Sequence, residues 1–358
     1  MNCFDIAKNL FLRNSSLPIY LIFFVTNRCN AKCSHCFYWQ KINSGNTELT
    51  LEEIDKISNT IRTLYHVNLT GGEPFLRSDL ADIAHIFYRN CGVKSFGIPT
   101  NGFDPEKICS ISENIIKRCP NVKLELDVSI DHFGEKHDQI RDFPGLLNRA
   151  IQTVKILKEL NSEELVVNVN LTLTKENEKE IEKIYHFIRE VLKPDMISPL
   201  LVRGNARVPE TKNISYQRYK KLIDIWARDI KLHKFKGYHN SIMGSLITAR
   251  DIAARKIILN RIHGGSPHFS CMAGTLGMVI YENGEVYPCE SLSDSFGNIR
   301  DYAYDFKKIW FSKKRADIVK RIKQGKCWCT HECFQGLNVV FNAKWIISAL
   351  WELLRIKL

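Results

Sequence analysis

Eight of the twelve cysteines fall into two groups whose spacing suits metal chemistry. Cys29, Cys33 and Cys36 follow a C-x3-C-x2-C pattern, which puts three thiolates on one tight loop. Three sulfurs neither close a tetrahedral zinc site nor complete a four-thiolate iron–sulfur set, so one position stays open to a chelating small molecule. A zinc knuckle completed by His35 is the plainer alternative. Cys271, Cys289, Cys327, Cys329 and Cys333 form the second group, in the last quarter of the chain. Cys271 and Cys289 bracket two β-rich runs, 277–281 and 285–287, around Asn283-Gly284, a strong hairpin signal. A helical stretch over 305–323 leads into Cys327-Trp328-Cys329-Thr330-His331-Glu332-Cys333. A structural zinc ribbon is the alternative there. Cys3, Cys91, Cys109 and Cys119 are scattered and read as small buried hydrophobes.

The elements that must hold these residues come from the periodicity. Short β-rich runs at 19–25, 67–70, 95–98, 123–130, 165–173 and 196–202 alternate with amphipathic stretches at 51–64, 79–88, 105–117, 145–160 and 178–192. Thr50 with Glu53 makes a capping box, and Pro105 suits a first helical turn. Strands separated by helices imply an α/β fold with a parallel sheet, open or curled into a partial barrel. In such sheets ligands bind at the C-terminal strand ends. Cys29, Gly71-Gly72-Glu73, Thr100-Asn101-Gly102 and Ser129-Ile130-Asp131 all lie there.

Composition narrows the class. With 358 residues, 44% hydrophobic and 25% charged, disorder, collagen and coiled coil are excluded. No 18-residue apolar run occurs, and the first twelve residues, carrying Asp5 and Lys8, do not read as a signal peptide, so a cytoplasmic protein is expected. A disulfide framework is not expected in that compartment. The net charge of +12 is local: residues 201–270 hold 14 Lys/Arg against four acids, or +10. Such a segment attracts an anionic substrate, a nucleic acid or an acidic membrane surface. It carries no nucleic-acid motif, so nucleic acid is not the expected partner.

The run Asn27-Arg28-Cys29-Asn30-Ala31-Lys32-Cys33-Ser34-His35-Cys36-Phe37-Tyr38-Trp39 resembles the signature loop of the radical S-adenosylmethionine (SAM) superfamily. Thr70-Gly71-Gly72-Glu73-Pro74 is similar to that superfamily's SAM-amino-group motif. His35 stands where an aromatic residue usually precedes the third cysteine. The resemblance covers roughly 20–203 and implies a partial (β/α)6 parallel barrel. It also implies a [4Fe–4S] cluster on Cys29, Cys33 and Cys36, whose open iron is chelated by SAM. An electron donor such as flavodoxin or ferredoxin would reduce it. One electron then cleaves SAM to methionine and a 5′-deoxyadenosyl radical, which abstracts a substrate hydrogen. Gly71 and Gly72 would let the backbone approach the methionine moiety, and Glu73 would accept from its ammonium. Ser129 and Asp131 match ribose-contacting positions, Arg141 matches an arginine that pairs with the SAM carboxylate, and Tyr38 would border the adenine.

The second cysteine group resembles the superfamily's SPASM module and its shortened twitch form, supported by Val286-Tyr287-Pro288-Cys289 and Gly297-Asn298-Ile299. A full SPASM module carries seven cysteines for two clusters. Five are present here, which implies one auxiliary [4Fe–4S] cluster on Cys271, Cys289 and two of Cys327, Cys329 and Cys333. Glu290 matches a carboxylate that serves some relatives as general base. The expected organisation is a core barrel over 17–205, a basic helical connector over 206–268, an auxiliary module over 269–341 and an amphipathic helix over 342–358. The last has a polar stripe of Lys344, Ser348, Glu352 and Arg355. It would cap the open barrel or lie in a membrane interface, peripheral to the bilayer. The substrate is expected to be a peptide, with a lipid, sugar or anionic metabolite as alternatives. A reading from another class is a non-enzymatic zinc or iron–sulfur protein that binds nucleic acid through the basic segment.

Overall fold

The computed structural model describes residues 17–45, 47–236, 242–265, 271–327, 329–342, 347, 351 and 352. Strands and helices alternate first as β1 (Tyr20–Thr26), α1 (Leu51–Ile61), β2 (His66–Gly71), α2 (Leu80–Cys91), β3 (Ser95–Thr100) and α3 (Pro105–Arg118). They continue as β4 (Lys123–Ser129), α4 (Glu135–Arg141), α5 (Leu146–Glu159), β5 (Leu165–Leu173), α6 (Ile181–Phe187) and β6 (Met196–Leu201). Helices α7 (Tyr216–Lys231) and α8 (Ile242–Ile262) then lead to the short strands β7 (Gly277–Ile280), β8 (Glu285–Tyr287) and β9 (Gly297–Asn298). Three helices follow: α9 (Phe306–Trp310), α10 (Lys313–Arg321) and α11 (Glu332–Val340). No helix among the described residues is long and apolar enough to cross a membrane.

The six core strands are all parallel, in the order β6-β5-β4-β3-β2-β1. Their two faces differ sharply. Val67, Leu69, Phe96, Ile98, Leu124, Leu126, Val167 and Val169 are buried on one face. The register aligns His66, Asn68, Ser95, Glu125, Asp127, Asn168, Asn170 and Ser198 on the other. An open sheet covered by helices on both sides buries two apolar faces, so one polar face is what a curled sheet with a wet lumen requires. All of that polar row except Asn168 remain partly exposed.

The sheet continues past the core. β7 pairs in parallel with β1, and β8 and β9 extend it antiparallel, so the cysteine-bearing hairpin adds to the barrel sheet. The gap beyond β6 is bridged by α11. The Leu201 amide donates to Glu332 Oε1 (2.8 Å), and Phe334 meets Tyr20 edge-on (6.3 Å) while lying over Gly277. The tail expected over 342–358 to cap the barrel or lie in a membrane interface falls mostly outside the described residues.

Several boundaries also differ from the periodicity. The stretch at 178–192 starts as α6 at Ile181 and ends in a wider turn over Ile188–Leu192. The stretch at 305–323 breaks at Phe311, because Ser312 caps a new helix on the Arg315 amide. Helix α8 contacts α7 and α11, and with apolar residues around much of its circumference it shows almost no amphipathic period.

Two sets of polar contacts tie the layers. Arg77 donates from Nη1 to Val25 O (2.6 Å) and from Nη2 to Leu49 O (2.7 Å), clamping the end of β1 to the loop before α1. Glu53 completes the capping box of α1 and accepts from Arg300 Nε (2.7 Å) and Tyr304 Oη (3.0 Å). The Arg300 hydrogen bond above all holds its carboxyl down at about 2. A depressed carboxyl contributes stability that is present above its unfolded value and lost as pH falls through the folded one. Unfolding between pH 5 and pH 2 is therefore expected to be less steep for Glu53→Gln than for the native chain, checked by circular dichroism against pH.

Candidate active site

The first cysteine loop leaves the C-terminal end of β1 and is pinned from several sides. Asn43, in a left-handed conformation that asparagine tolerates, accepts the Cys29 amide on Oδ1 and donates Nδ2 to the Cys29 carbonyl, both at 3.0 Å. The Lys32 and Ser34 amides donate to the carbonyls of Arg141 (3.0 Å) and Ile140 (2.9 Å) at the end of α4. The Arg207 and Val208 amides donate to Cys36 O (3.1 Å) and Ser34 O (2.8 Å). Burial pushes the Cys29 thiol up to about 12 and Cys33 to about 11, even though Arg141 pulls the latter down. A metal centre binding here must displace those protons.

The glycine run is zipped against this loop. The Gly72 amide donates to Thr26 O (2.9 Å) and the Glu73 amide to Arg28 O (2.8 Å). A Cβ at Gly71, whose φ is +134°, would stand 2.1 Å from Thr26 O, and one at Gly72 would stand 2.1 Å from Arg28 O. Both obstacles are backbone, so the loop itself would have to move. Gly72→Ala is expected to cost about 1–3 kcal/mol of stability and to weaken SAM binding at least tenfold. Urea midpoints and equilibrium dialysis with SAM check this.

Glu73 is buried. It accepts from Thr100 Oγ1 (2.9 Å), the Phe75 amide (3.3 Å) and the Asn101 amide (2.7 Å). Burial lifts its carboxyl to about 7 despite these donors. Asp131 accepts on Oδ2 from Arg141 Nε (2.9 Å) and Nη2 (2.6 Å), and on Oδ1 from the Thr172 amide (2.9 Å). Burial opposes ionisation of Asp131, but Arg141, His35, His137 and the Thr172 amide together outweigh it and hold the carboxyl below the usual range. Oδ1 of Asp131, with one of its two lone pairs used, is the oxygen left for the expected ribose contact. The remaining nitrogen of Arg141, Nη1, lies 3.8 Å from Cys33 Sγ. Ser129 faces the lumen, half-buried, at the end of β4. His35 Nε2 lies 3.7 Å from Asp131 Oδ2. Tyr38, expected beside the adenine, is placed in the core. Its hydroxyl donates to Glu282 (2.5 Å) and its ring meets Phe24 (4.8 Å) and Tyr281 (5.7 Å).

The second cysteine group resolves into four and one. Cys271, Cys289, Cys327 and Cys329 are close enough to interact with one another. Cys327 and Cys329 shift one another's thiols, while Cys271 and Cys289 are pushed up by burial and by Cys329. Cys333 faces elsewhere, toward His331, Arg203 and Tyr20, and the His331 hydrogen bond brings it down despite burial. No three described His, Cys, Asp or Glu side chains converge on a point that would hold a single metal ion. A four-iron cube is instead ligated at separate corners, one thiolate per iron. One set of three thiols and one of four fit an open and a closed cube respectively.

Between the two sets lies a group of ion pairs. Arg203 reaches Glu290 Oε2 (3.4 Å) and Glu332 Oε2 (3.3 Å), sits 4.9 Å from the Phe37 ring centre, and Glu290 also bonds His331. Burial would raise the Glu290 carboxyl, but Arg203 and His331 hold it down at about 2. The general-base role expected of Glu290 would thus be played by a carboxylate paired with Arg203 and His331. A cavity of about 380 Å³, lined in part by Arg203, Lys212, Arg261, Cys329 and His331, opens beside it. Of the scattered cysteines, Cys91 and Cys119 are buried and Cys109 half-buried, while Cys3 lies outside the described residues.

Comparison with known proteins agrees with this geometry. Residues 23–188 match the Radical SAM superfamily, and residues 271–334 match SPASM, an iron-sulfur cluster-binding domain. An AdoMet-dependent heme synthase of Methanosarcina barkeri is 25% identical over 328 residues, 87% of this chain and 88% of that protein. A cysteine-type anaerobic sulfatase-maturating enzyme of Clostridium novyi is 25% identical, over 74% of this chain and 71% of that protein. In fold, the chain is similar to SuiB of Streptococcus suis bound to its precursor peptide SuiA (TM-score 0.61, 16% identity, 96% of this chain and 77% of that one). It is equally similar to anSMEcpe with bound AdoMet and the Cp18Cys peptide (TM-score 0.60, 18% identity, 95% of this chain and 98% of that one). The reading as a non-enzymatic nucleic-acid protein falls with these matches. The chain carries a radical SAM domain followed by a SPASM domain, and is an enzyme that uses SAM and iron–sulfur clusters.

Proposed function

We propose that the chain modifies a peptide by hydrogen abstraction in the barrel lumen, with one auxiliary cluster on Cys271, Cys289, Cys327 and Cys329. The observation that carries this is that the loop with the first cysteine set and the hairpin flanked by Cys271 and Cys289 both extend from one continuous sheet, whose lumen is polar and partly exposed. The peptides bound by SuiB and anSMEcpe, which share the fold, support the substrate class. When bound, the first cluster and SAM supply reductive cleavage of SAM and, from it, abstraction of a substrate hydrogen. The chain's own residues do the positioning. The Gly71–Gly72 backbone admits the methionine moiety, and Glu73 takes its ammonium. Arg141 Nη1 takes the SAM carboxylate, and Ser129 borders the ribose. Synthetic peptides are expected to stimulate 5′-deoxyadenosine release by the reconstituted enzyme, and coproporphyrin to leave it unchanged. Stimulation by coproporphyrin alone would favour the chemistry named for the Methanosarcina relative.

A second reading places the enzyme at an anionic membrane surface. Most of the tail helix expected at 342–358 lies outside the described residues, but Glu352 is buried and paired with Lys256 and with Lys231 (3.2 Å). Ile347 and Trp351 are 57% and 60% exposed, as is Leu232 at 59%. Glu352 is thus turned toward the lysines of α7 and α8 while Ile347 and Trp351 face outward, the arrangement an interfacial helix needs. Flotation with phosphatidylserine vesicles tests it. Trp351→Ser is expected to reduce binding severalfold, and equal binding of both proteins would contradict it.

A further inference from the structure

The lumen of the barrel holds a group of side chains that SAM binding does not use. Glu125 and Asp127, two residues apart on β4, face inward, and the register sets Asn168 of β5 beside Asp127. Asn168 Nδ2 lies within hydrogen-bonding reach of four acceptors: Asp127 Oδ1 (2.5 Å), Ser198 Oγ (2.8 Å), Asn170 Oδ1 (3.4 Å) and Glu125 Oε1 (3.5 Å). A primary amide has two hydrogens, so at most two of these are served at once. The other side of the same amide is worse off. Asn168 is 1% exposed, and its Oδ1 has no hydrogen-bond partner. A buried carbonyl left unpaired costs about 1–3 kcal/mol unless something else fills the role.

The cluster is thus rich in acceptors and short of donors. Burial, reinforced for Glu125 by the charge of Asp127, lifts the carboxyl of Glu125 to about 8 and that of Asp127 to about 6. One cation, Arg250 of α8, acts on Glu125, and it also pairs with Asp251 (2.7 Å), whose charge together with that of Cys333 pushes Glu125 the other way. A cluster serving stability alone would be apolar or fully paired. Glu125, Asp127, Asn170 and Ser198 instead keep part of their surface open to the lumen.

We propose that this part of the lumen binds a cationic nitrogen of the substrate, an ammonium or guanidinium group, between Asp127, Glu125 and the Asn168 carbonyl. Such a group brings donors and no acceptor, which is what the cluster lacks. A charge-assisted contact to Asp127, and to Glu125 once the arriving cation has driven off its proton, would anchor it. Resting on the peptide reading, the proposal makes the anchoring residue a lysine or arginine; an amino sugar presents the same ammonium from a different source.

Isothermal titration of the full chain with Nα-acetyl-lysine amide, its Nε-acetylated form, glucosamine and N-acetylglucosamine tests this. Heat is expected from the lysine amide and none from its Nε-acetylated form, a contrast that needs no variant. Asp127→Asn and Glu125→Gln, each with a native-like circular dichroism spectrum, are expected to weaken binding at least tenfold. Binding of glucosamine but not of the lysine amide would keep the cation site and overturn the peptide reading. Equal binding of the acetylated forms, no binding of either amine, or undiminished affinity in folded Asp127→Asn would overturn the cation site itself.

Discussion

Alanine at Cys271, Cys289, Cys327 or Cys329 is expected to remove about four of about eight iron atoms per chain, whereas alanine at Cys333 leaves the count unchanged. The difference follows from how the thiols are grouped. Cys327 and Cys329 act on one another, and on Cys271 and Cys289. Cys333 interacts instead with His331 and Tyr20. A closed cube needs four thiolates, and losing one leaves a corner open to solvent and oxidation. The tail of the module is also held by its cysteines: Asn338 of α11 donates to Cys271 Sγ (3.6 Å) and accepts the Met272 amide (2.8 Å). Iron and sulfide analysis of anaerobically reconstituted variants reads the result directly. A loss of iron in Cys333→Ala as large as in Cys327→Ala would contradict the grouping.

Arg141→Met is expected to cost about 3–5 kcal/mol, because it strips a buried carboxylate of its partner. Asp131 is fully buried, and apart from Arg141 it accepts from the Thr172 amide and has His35 Nε2 at 3.7 Å. Adding Asp131→Asn to the same chain is expected to recover most of the loss, since the uncompensated charge is then gone. The sign with pH follows from the depressed Asp131 carboxyl. The pair stabilises the fold above the ordinary aspartate range, and its contribution fades as pH falls through the lower folded value. The penalty of Arg141→Met should therefore shrink in acid. Urea midpoints of the single and double variants at two pH values check both statements. SAM affinity should fall in the double variant as well, because Nη1 is lost in both.

Much of this was legible in the sequence where local chemistry decides structure. The six core strands came from β-rich runs, the hairpin from Asn283-Gly284, and the start of α1 from the Thr50–Glu53 capping box, which forms as expected. The barrel was legible too in the alternation of Lys123–Ser129, whose inward positions are acidic, although those acids were not singled out as a site. Other features depend on contacts distant in sequence. Helix α8 is wrapped by α7 and α11 and shows no single apolar stripe. The closure of the barrel by α11 rests on one carboxylate, Glu332, meeting the Leu201 amide across 131 positions. Tyr38 follows the third cysteine in sequence, yet its hydroxyl finds Glu282 across 244 positions and the ring goes into the core. Glu290 follows Cys289 as expected, but the charges that hold it down come from Arg203 and His331. The distinct position of Cys333 has no signal in the spacing of Cys327, Cys329 and Cys333.

The central claim is that this chain holds two four-iron clusters and cleaves SAM through the first. Anaerobic reconstitution, reduction with dithionite and chromatography for 5′-deoxyadenosine test it in one preparation. The native chain should bind about eight iron atoms and release 5′-deoxyadenosine, and the Cys29→Ala/Cys33→Ala/Cys36→Ala chain should keep about four and release none. Iron content near eight with no 5′-deoxyadenosine from the native chain, or release that persists in the triple variant, would contradict it.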